Sequence, residues 1–333
     1  MSTEPATEKI TCKYCGSEGV VKYGTYNGVQ RYWCKVCQRK FKDDDTTFHM
    51  KVSPEFISSA LELYYTGSSI EDICQHFRNT KGYHPSKSVV YGWIDKFTDM
   101  TVDHFRQYKP QVGDVWACDE TVLRLDKKKK VWFWDIIDLK TRYLIASIVS
   151  NTRTTRDAQK LMEKAKRITG IAPEKIITDK LYAYWDGIEL VFGADTEHIQ
   201  SSPFAKGEST SKIERWHSTL KERTKVMKAF KNIDTLIQFT DGFQVYYNYL
   251  KPHHSLKGKT PAEVANVDYD VKNWMDVCHL PVSKKADIQK HSRLLVEGLP
   301  TTVRAIKMKR ARKKRKEVTS SRRVPPQISS IRM

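Results

Sequence analysis

Two short cysteine pairs constrain this chain more tightly than anything else in it. "CKYC" places Cys12 and Cys15, "CKVC" places Cys34 and Cys37, and 34 − 15 − 1 leaves 18 residues between the pairs. Each pair presents two thiolates to one tetrahedral ion, and the residues between them alternate like a hairpin turning at Asn27-Gly28. That is the spacing of a zinc ribbon, expected over residues 1–45. Four thiolates leave no open position, so the zinc expected there is structural. The strands also carry Lys22, Arg31 and Lys35, a set suited to touching DNA. With four of the seven cysteines paired in this way, a reducing compartment with metal binding fits better than a disulfide scaffold.

Charge narrows the class of partner. The chain has 333 residues, with 58 Lys and Arg against 39 Asp and Glu, so the net charge is 58 − 39 = +19. An excess of that size favours a polyanion, most often nucleic acid. Residues 301–333 hold twelve of the bases and a single acid, Glu317, and are expected to be a disordered basic tail, either a localisation signal or a non-specific DNA contact. No apolar run reaches the roughly 18 residues of a membrane helix, and the N-terminus has no apolar signal core. A cytoplasmic, nucleoid-associated protein without a membrane partner is the expectation.

Residues 50–105 read as three helices. Phe56, Ile57, Ala60, Leu61 and Tyr64 recur at helical spacing and stop at Gly67. Ser69 with Asp72 forms a weak capping box for the second helix, and a third begins near Ser86 or Ser88. Three short helices with a basic, Ser-rich start to the third suggest a helix-turn-helix, with Lys87, Tyr91 and Lys96 facing the major groove. A helical spacer is the alternative.

From about residue 113 the period changes. Three hairpin strands come first, then a helix near 154–169, the strand "KIITD", a helix near 181–187, a strand near 196–200 and a basic helix from Ser211. That order gives an α/β domain with a mixed sheet. Asp119 interrupts the apolar alternation of the first strand, Asp179 ends a later one, and Glu214 sits on the basic helix. Between the last two, 214 − 179 − 1 leaves 34 residues. Glu120 is expected on the opposite sheet face from Asp119 by strand alternation, and Asp138 to be a turn residue. Cys74, Cys118 and Cys278 are expected in the core. Trp216 and His217 are open to two readings, packing or contact with DNA.

"WACDET", "IITDKLYAY" and "SKIERWHSTLKER" together resemble the DDE insertion-sequence transposases of the short, replicative, cointegrate-forming type, and "YYNYLKPHHSLKGKTPAEV" resembles the tail of their catalytic domain. The resemblance covers about 110–265. It implies an RNase H-like catalytic domain (110–268), followed by a C-terminal extension (269–300). It implies Asp119, Asp179 and Glu214 as a catalytic, metal-binding triad, with Lys221, seven residues after Glu214, and Arg215 on DNA. Two Mg²⁺ or Mn²⁺ ions per site, roughly 3.5–4 Å apart, suit hard carboxylate ligands and phosphodiester chemistry. Double-stranded DNA ends and target would be the partners, and synapsis of two ends implies a homodimer or higher oligomer. A DNA-binding regulator without activity and an RNase H-like nuclease are the alternatives. All three acids are present, against the first, and two DNA-binding units precede the domain, against the second.

Overall fold

The computed structural model describes residues 10–26, 28–42, 50–126, 129–201 and 210–280. The tail expected over 301–333, Asn27 of the hairpin turn and most of the extension expected over 269–300 lie outside them.

Strands β1 (Val20–Tyr26), β2 (Val29–Cys34) and β3 (Lys40–Lys42) form an antiparallel sheet in the order β1-β2-β3. Alternation buries Tyr32 and its cross-strand partner Phe41, which stack 5.7 Å apart and form a small core with Cys12 and Cys34. A unit this small cannot bury enough apolar surface to fold on its core alone, so it needs a staple.

Helices α1 (Pro54–Thr66), α2 (Ile70–Lys81) and α3 (Lys87–Phe105) start where the caps dictate. Pro54 opens α1, Ser69 and Asp72 form a full capping box on α2, and the Ser86 hydroxyl accepts from the Val89 amide to open α3. The third helix is not short, as expected, but 19 residues long. Its second half continues because Thr98, Thr101, Val102 and Phe105 are buried against the rest of the molecule. Tyr65 hydrogen-bonds Thr98 at 2.8 Å above α7 (Ile233–Val245), where Gly242 makes room. A Cβ there would sit 2.2 Å from the Tyr65 hydroxyl.

The central sheet contains β4 (Val115–Leu125), β5 (Lys129–Asp138), β6 (Leu144–Ser150), β7 (Lys175–Thr178) and β8 (Glu197–Gln200), in the order β6-β5-β4-β7-β8. The first three are antiparallel neighbours, and β7 and β8 run parallel to β4. Three meander strands followed by two parallel ones is the RNase H-like order. Helices α4 (Thr155–Thr169) and α5 (Tyr182–Phe192) pack together, with Gly187 so close that a Cβ would lie 2.7 Å from Ala158 Cβ. On β5, Trp134 meets Tyr184 of α5, while its neighbour Asp135 meets His217 of α6 (Ser211–Met227). Successive residues point to opposite faces, so α5 and α6 cover different sides of the sheet.

A continuous buried core runs from Ile57 to Leu280. The short helix α8 (Pro261–Val264) is followed by α9 (Trp274–Cys278), whose Trp274 stacks 5.0 Å from Tyr65 of α1. Cys74, Cys118 and Cys278 are all buried in this core.

Candidate active site and metal centre

Register brings two aspartates level. β4 pairs with β7 as Val115↔Lys175, Trp116↔Ile176 and Ala117↔Ile177, a constant offset of 60. Continued two residues, the offset sets Asp119 beside Asp179, the first residue beyond β7. One carboxylate oxygen from each of Asp119, Glu120 and Asp179 lies within 4.8 Å of the others. Asp179 Oδ1 also accepts from the Leu181 amide at 2.9 Å, which fixes the turn into α5.

Glu120 takes the face that alternation expects and still joins the cluster. Its side chain does leave the sheet on the α5 side, where Tyr184 Oη donates to Oε2 at 2.7 Å, whereas Asp119 faces α6. Yet β7 ends at Thr178, so that edge of β4 is open between Ala117 and the isolated bridge of Leu125 with Phe230. There one oxygen of each carboxylate still comes within 4.8 Å of Asp179. Alternation fixes the direction a side chain leaves, not where a flexible carboxylate ends.

Two basic residues partner these acids. Arg153, just before α4, donates to Glu120 Oε1, reaches within 3.6 Å of Asp179 Oδ2 and stacks 4.8 Å over the Trp132 ring. Glu120 is 2% exposed in its side chain, and burial raises its pKa against the opposing pull of Tyr184 and Arg153. On the other face, His217 lies between Asp119 (Nδ1 to Oδ2, 3.2 Å) and Asp135 (Nε2 to Oδ2, 2.8 Å). Those aspartates are direct cross-strand partners. Burial opposes the imidazolium, but hydrogen bonds to both carboxylates win and push His217 up to about 9. Of the two readings of Trp216 and His217, the structure shows packing, since both are buried. Asp138 accepts from Thr141 and the Lys140 amide, as a turn residue does.

Glu214 stands apart from this cluster. It is exposed in the first turn of α6, where Thr210 Oγ1 donates to it at 2.8 Å. Its helix is nevertheless docked on the site, because His217 lies three residues, under one turn, further along. Arg215 and Lys221 are exposed on the same helix, whereas Lys212 is tied to the Leu139 carbonyl at 2.6 Å. Arg223 is buried 4.4 Å over the Tyr64 ring. On α3, Lys87 is exposed but ion-paired with Glu71, Tyr91 is exposed, and Lys96 is half-buried 5.3 Å over Phe97.

Sequence reasoning passed over Arg153 and Tyr184 altogether. Their partner Glu120 is 33 and 64 residues away, so no local spacing marks them. A carboxylate in the otherwise buried stretch of β4 was the one available signal.

In the ribbon the four Sγ atoms lie within 4.8 Å of one another, with Cys12–Cys37 and Cys15–Cys34 each 3.6 Å apart. Bonds of about 2.3 Å to a tetrahedral ion put sulfurs about 3.8 Å apart, and a disulfide would need about 2.05 Å. The thiols therefore fit zinc. Positive φ at Gly16 and Gln38 closes the two knuckles, and the Tyr14 and Cys37 amides donate to Cys12 and Cys34 sulfur. Burial pushes the Cys12 thiol up to about 12, so a bound cation is what would draw off its proton. For the carboxylate cluster, hard oxygen donors fit Mg²⁺ or Mn²⁺. No helix among the described residues is long and apolar enough to cross a membrane.

Comparisons with known proteins bear on the same region. Residues 113–253 match the model of a family described as a DDE domain. An uncharacterized protein in transposable element ISH50 of Halobacterium salinarum is 45% identical over 38 residues, 11% of this chain and 13% of that protein's length. The HTLV-2 integrase catalytic core domain in complex with magnesium, in its dimeric form, aligns at 17% identity with a TM-score of 0.36, covering 47% of this chain and 97% of that one. A simian T-cell lymphotropic virus intasome in complex with a PP2A regulatory subunit aligns at 10% identity and TM-score 0.38, over 65% of this chain and 74% of that one. Strand order, paired acids and the family match agree: residues 113–253 are a DDE domain of the transposase type.

Proposed function

We propose that this chain is a DNA transposase that binds the ends of its own element and catalyses metal-dependent strand cleavage and strand transfer. One observation carries the reading: Asp119 and Asp179 converge within 4.8 Å from neighbouring parallel strands of a DDE domain. Asp119, Asp179 and Glu214 would hold Mg²⁺ or Mn²⁺. When bound, the metal would offset charge on the phosphate and favour the deprotonated attacking oxygen. Around it, His217 holds Asp119 in place, and the Leu181 amide holds Asp179. Glu214 is exposed on a helix anchored by His217, so a side-chain swing or a small helix shift would bring it to the ions.

The remaining assignments follow from exposure and charge. Arg215 and Lys221 on α6 would contact the DNA backbone, and Lys87, Tyr91 and Lys96 on α3 would meet the element ends. The ribbon adds a face where Lys40 lies 3.8 Å over Tyr23 and Arg31 5.5 Å over Tyr26, cations held ready for phosphates. Bringing two ends together calls for a homodimer or higher oligomer.

The test uses the purified chain, Mg²⁺ and a duplex containing the DNA that flanks its gene. The native protein should nick and join that duplex, and Asp119→Ala or Asp179→Ala should still shift it in a gel while doing neither. Cleavage by Asp119→Ala at the native rate would overturn the assignment.

A further inference from the structure

Glu120 is an unusual neighbour for a metal-binding pair, because both its oxygens are already taken. Tyr184 Oη donates to one and Arg153 to the other, in a side chain only 2% exposed. An occupied, buried carboxylate is an anchor rather than a free ligand. What it anchors is Arg153, whose guanidinium also stacks over Trp132 and lies 3.6 Å from Asp179 Oδ2. Planarity suits Arg to this double duty, with a carboxylate at its edge and a ring at its face.

We propose that Arg153 is the site's resident counter-ion, seated by Glu120, Tyr184 and Trp132 so that it neutralises Asp179 until a divalent cation displaces it. This rests on reading Asp119 and Asp179 as metal ligands. Three carboxylates within 4.8 Å repel one another, and the protein folds them together only if positive charge is at hand. His217 supplies it to Asp119 from the α6 side, and Arg153 supplies it to Glu120 and Asp179 from the other. The two are not equivalent. His217 is buried beneath the sheet, whereas the Arg153 side chain is 36% exposed beside a 43% exposed Asp179. Arg153 can therefore swing away on its long stem while its anchor stays fixed. A cation arriving at Asp179 competes with the guanidinium, so Arg153 sets the concentration at which the site loads.

Mn²⁺ binding to the metal-free full chain, followed by electron paramagnetic resonance without DNA, tests this. Arg153→Gln should bind Mn²⁺ about tenfold more tightly than native at low salt, with the gap narrowing as salt rises. Arg153→Lys keeps the charge and should stay within about threefold of native. Should Arg153→Gln not fold, Trp132→Leu removes the ring under the guanidinium and should also tighten Mn²⁺ binding. Equal or weaker Mn²⁺ binding in a folded Arg153→Gln, or in Trp132→Leu taken in its place, overturns the proposal. Asp119→Ala separates this from the underlying reading. If native binds Mn²⁺ and Asp119→Ala does not, the metal site stands whatever Arg153 does. If Asp119→Ala binds like native, the metal site itself falls.

Discussion

The ribbon and the DDE domain each gather negative ligands, and they manage the repulsion in opposite ways. Cys12, Cys15, Cys34 and Cys37 come from two local knuckles, and the basic residues nearby lie over aromatic rings: Arg39 over Tyr14, Lys40 over Tyr23. Asp119, Glu120 and Asp179 come from one strand and the end of its neighbour, with Arg153 and His217 among them. The first cluster needs an external ion to hold its thiolates. The second carries its own cations and is held by a core that reaches from Ile57 to Leu280. On the proposed reading, the ribbon would be completed by its metal, while the carboxylate site, balanced by Arg153 and His217, would be able to exchange its own.

Metal removal should break that symmetry most visibly. Structural zinc in small domains is worth about 10–16 kcal/mol of folding free energy at neutral pH. Stripping the protein with a strong chelator, or making Cys34→Ser with Cys37→Ser, should abolish bound zinc and the environment of Trp33, while far-ultraviolet circular dichroism of the helices stays. An unchanged near-ultraviolet signal after chelation would show that the ribbon stands without its ion.

Removing acids from the other cluster should do the reverse. Asp119→Ala and Asp179→Ala should leave thermal unfolding within a few degrees of native, because repulsion is lost together with the ion pairs. Cleavage of flanking DNA should fall roughly a thousandfold or more, the scale of losing a main transition-state charge stabiliser. Collapse of the fold in Asp179→Ala would erase the contrast, since it would make that aspartate structural.

The ribbon and most elements of the domain were legible because their signals are local. Two C-x-x-C pairs, the Ser69–Asp72 cap and Gly67 each act within a few residues. The strands and helices from 113 onward follow from period alone. What periodicity does not carry is register. The offset of 60 between β4 and β7 sets Asp119 beside Asp179, and the early end of β7 lets Glu120 join them. Neither is written in spacing. His217 reaches Asp135 across 82 residues, a partnership invisible until the sheet closes. The length of α3 was missed for the same reason, since Thr98 and Thr101 look polar until Tyr65 and the Phe97 carbonyl take their hydroxyls.

His217 gives an intermediate effect and a pH signature. His217→Ala leaves Asp135, fully buried, without its counter-charge, and should cost about 3–5 kcal/mol. The folded imidazole titrates at about 9, above its ordinary unfolded value of about 6.5. A raised pKa means the folded state holds its proton more tightly. The stabilisation is therefore fully present below about 6.5 and lost as pH rises towards about 9. Urea unfolding at pH 7 and 9.5 should show this loss in native protein and not in His217→Gln. Equal losses in both would assign the pH dependence to other groups.

Glu214 should give the smallest effect on stability, which makes it the sharpest test of a site completed only on loading. It is exposed, and its structural role is confined to the first turn of α6, where an acid favours the helix dipole and Thr210 donates to it. Glu214→Gln keeps the shape and an acceptor for Thr210, so metal-free stability should change by less than about 1 kcal/mol. If Glu214 joins Asp119 and Asp179 only when cations arrive, the same substitution should weaken Mn²⁺ binding and halt strand transfer. Native and Glu214→Gln protein would then have nearly the same melting temperature without metal. They should separate as Mn²⁺ is added, because a ligand stabilises only the form that binds it. Curves that stay superimposed at saturating Mn²⁺ would leave Glu214 as a helix-surface residue and reduce the metal-binding set to Asp119 and Asp179.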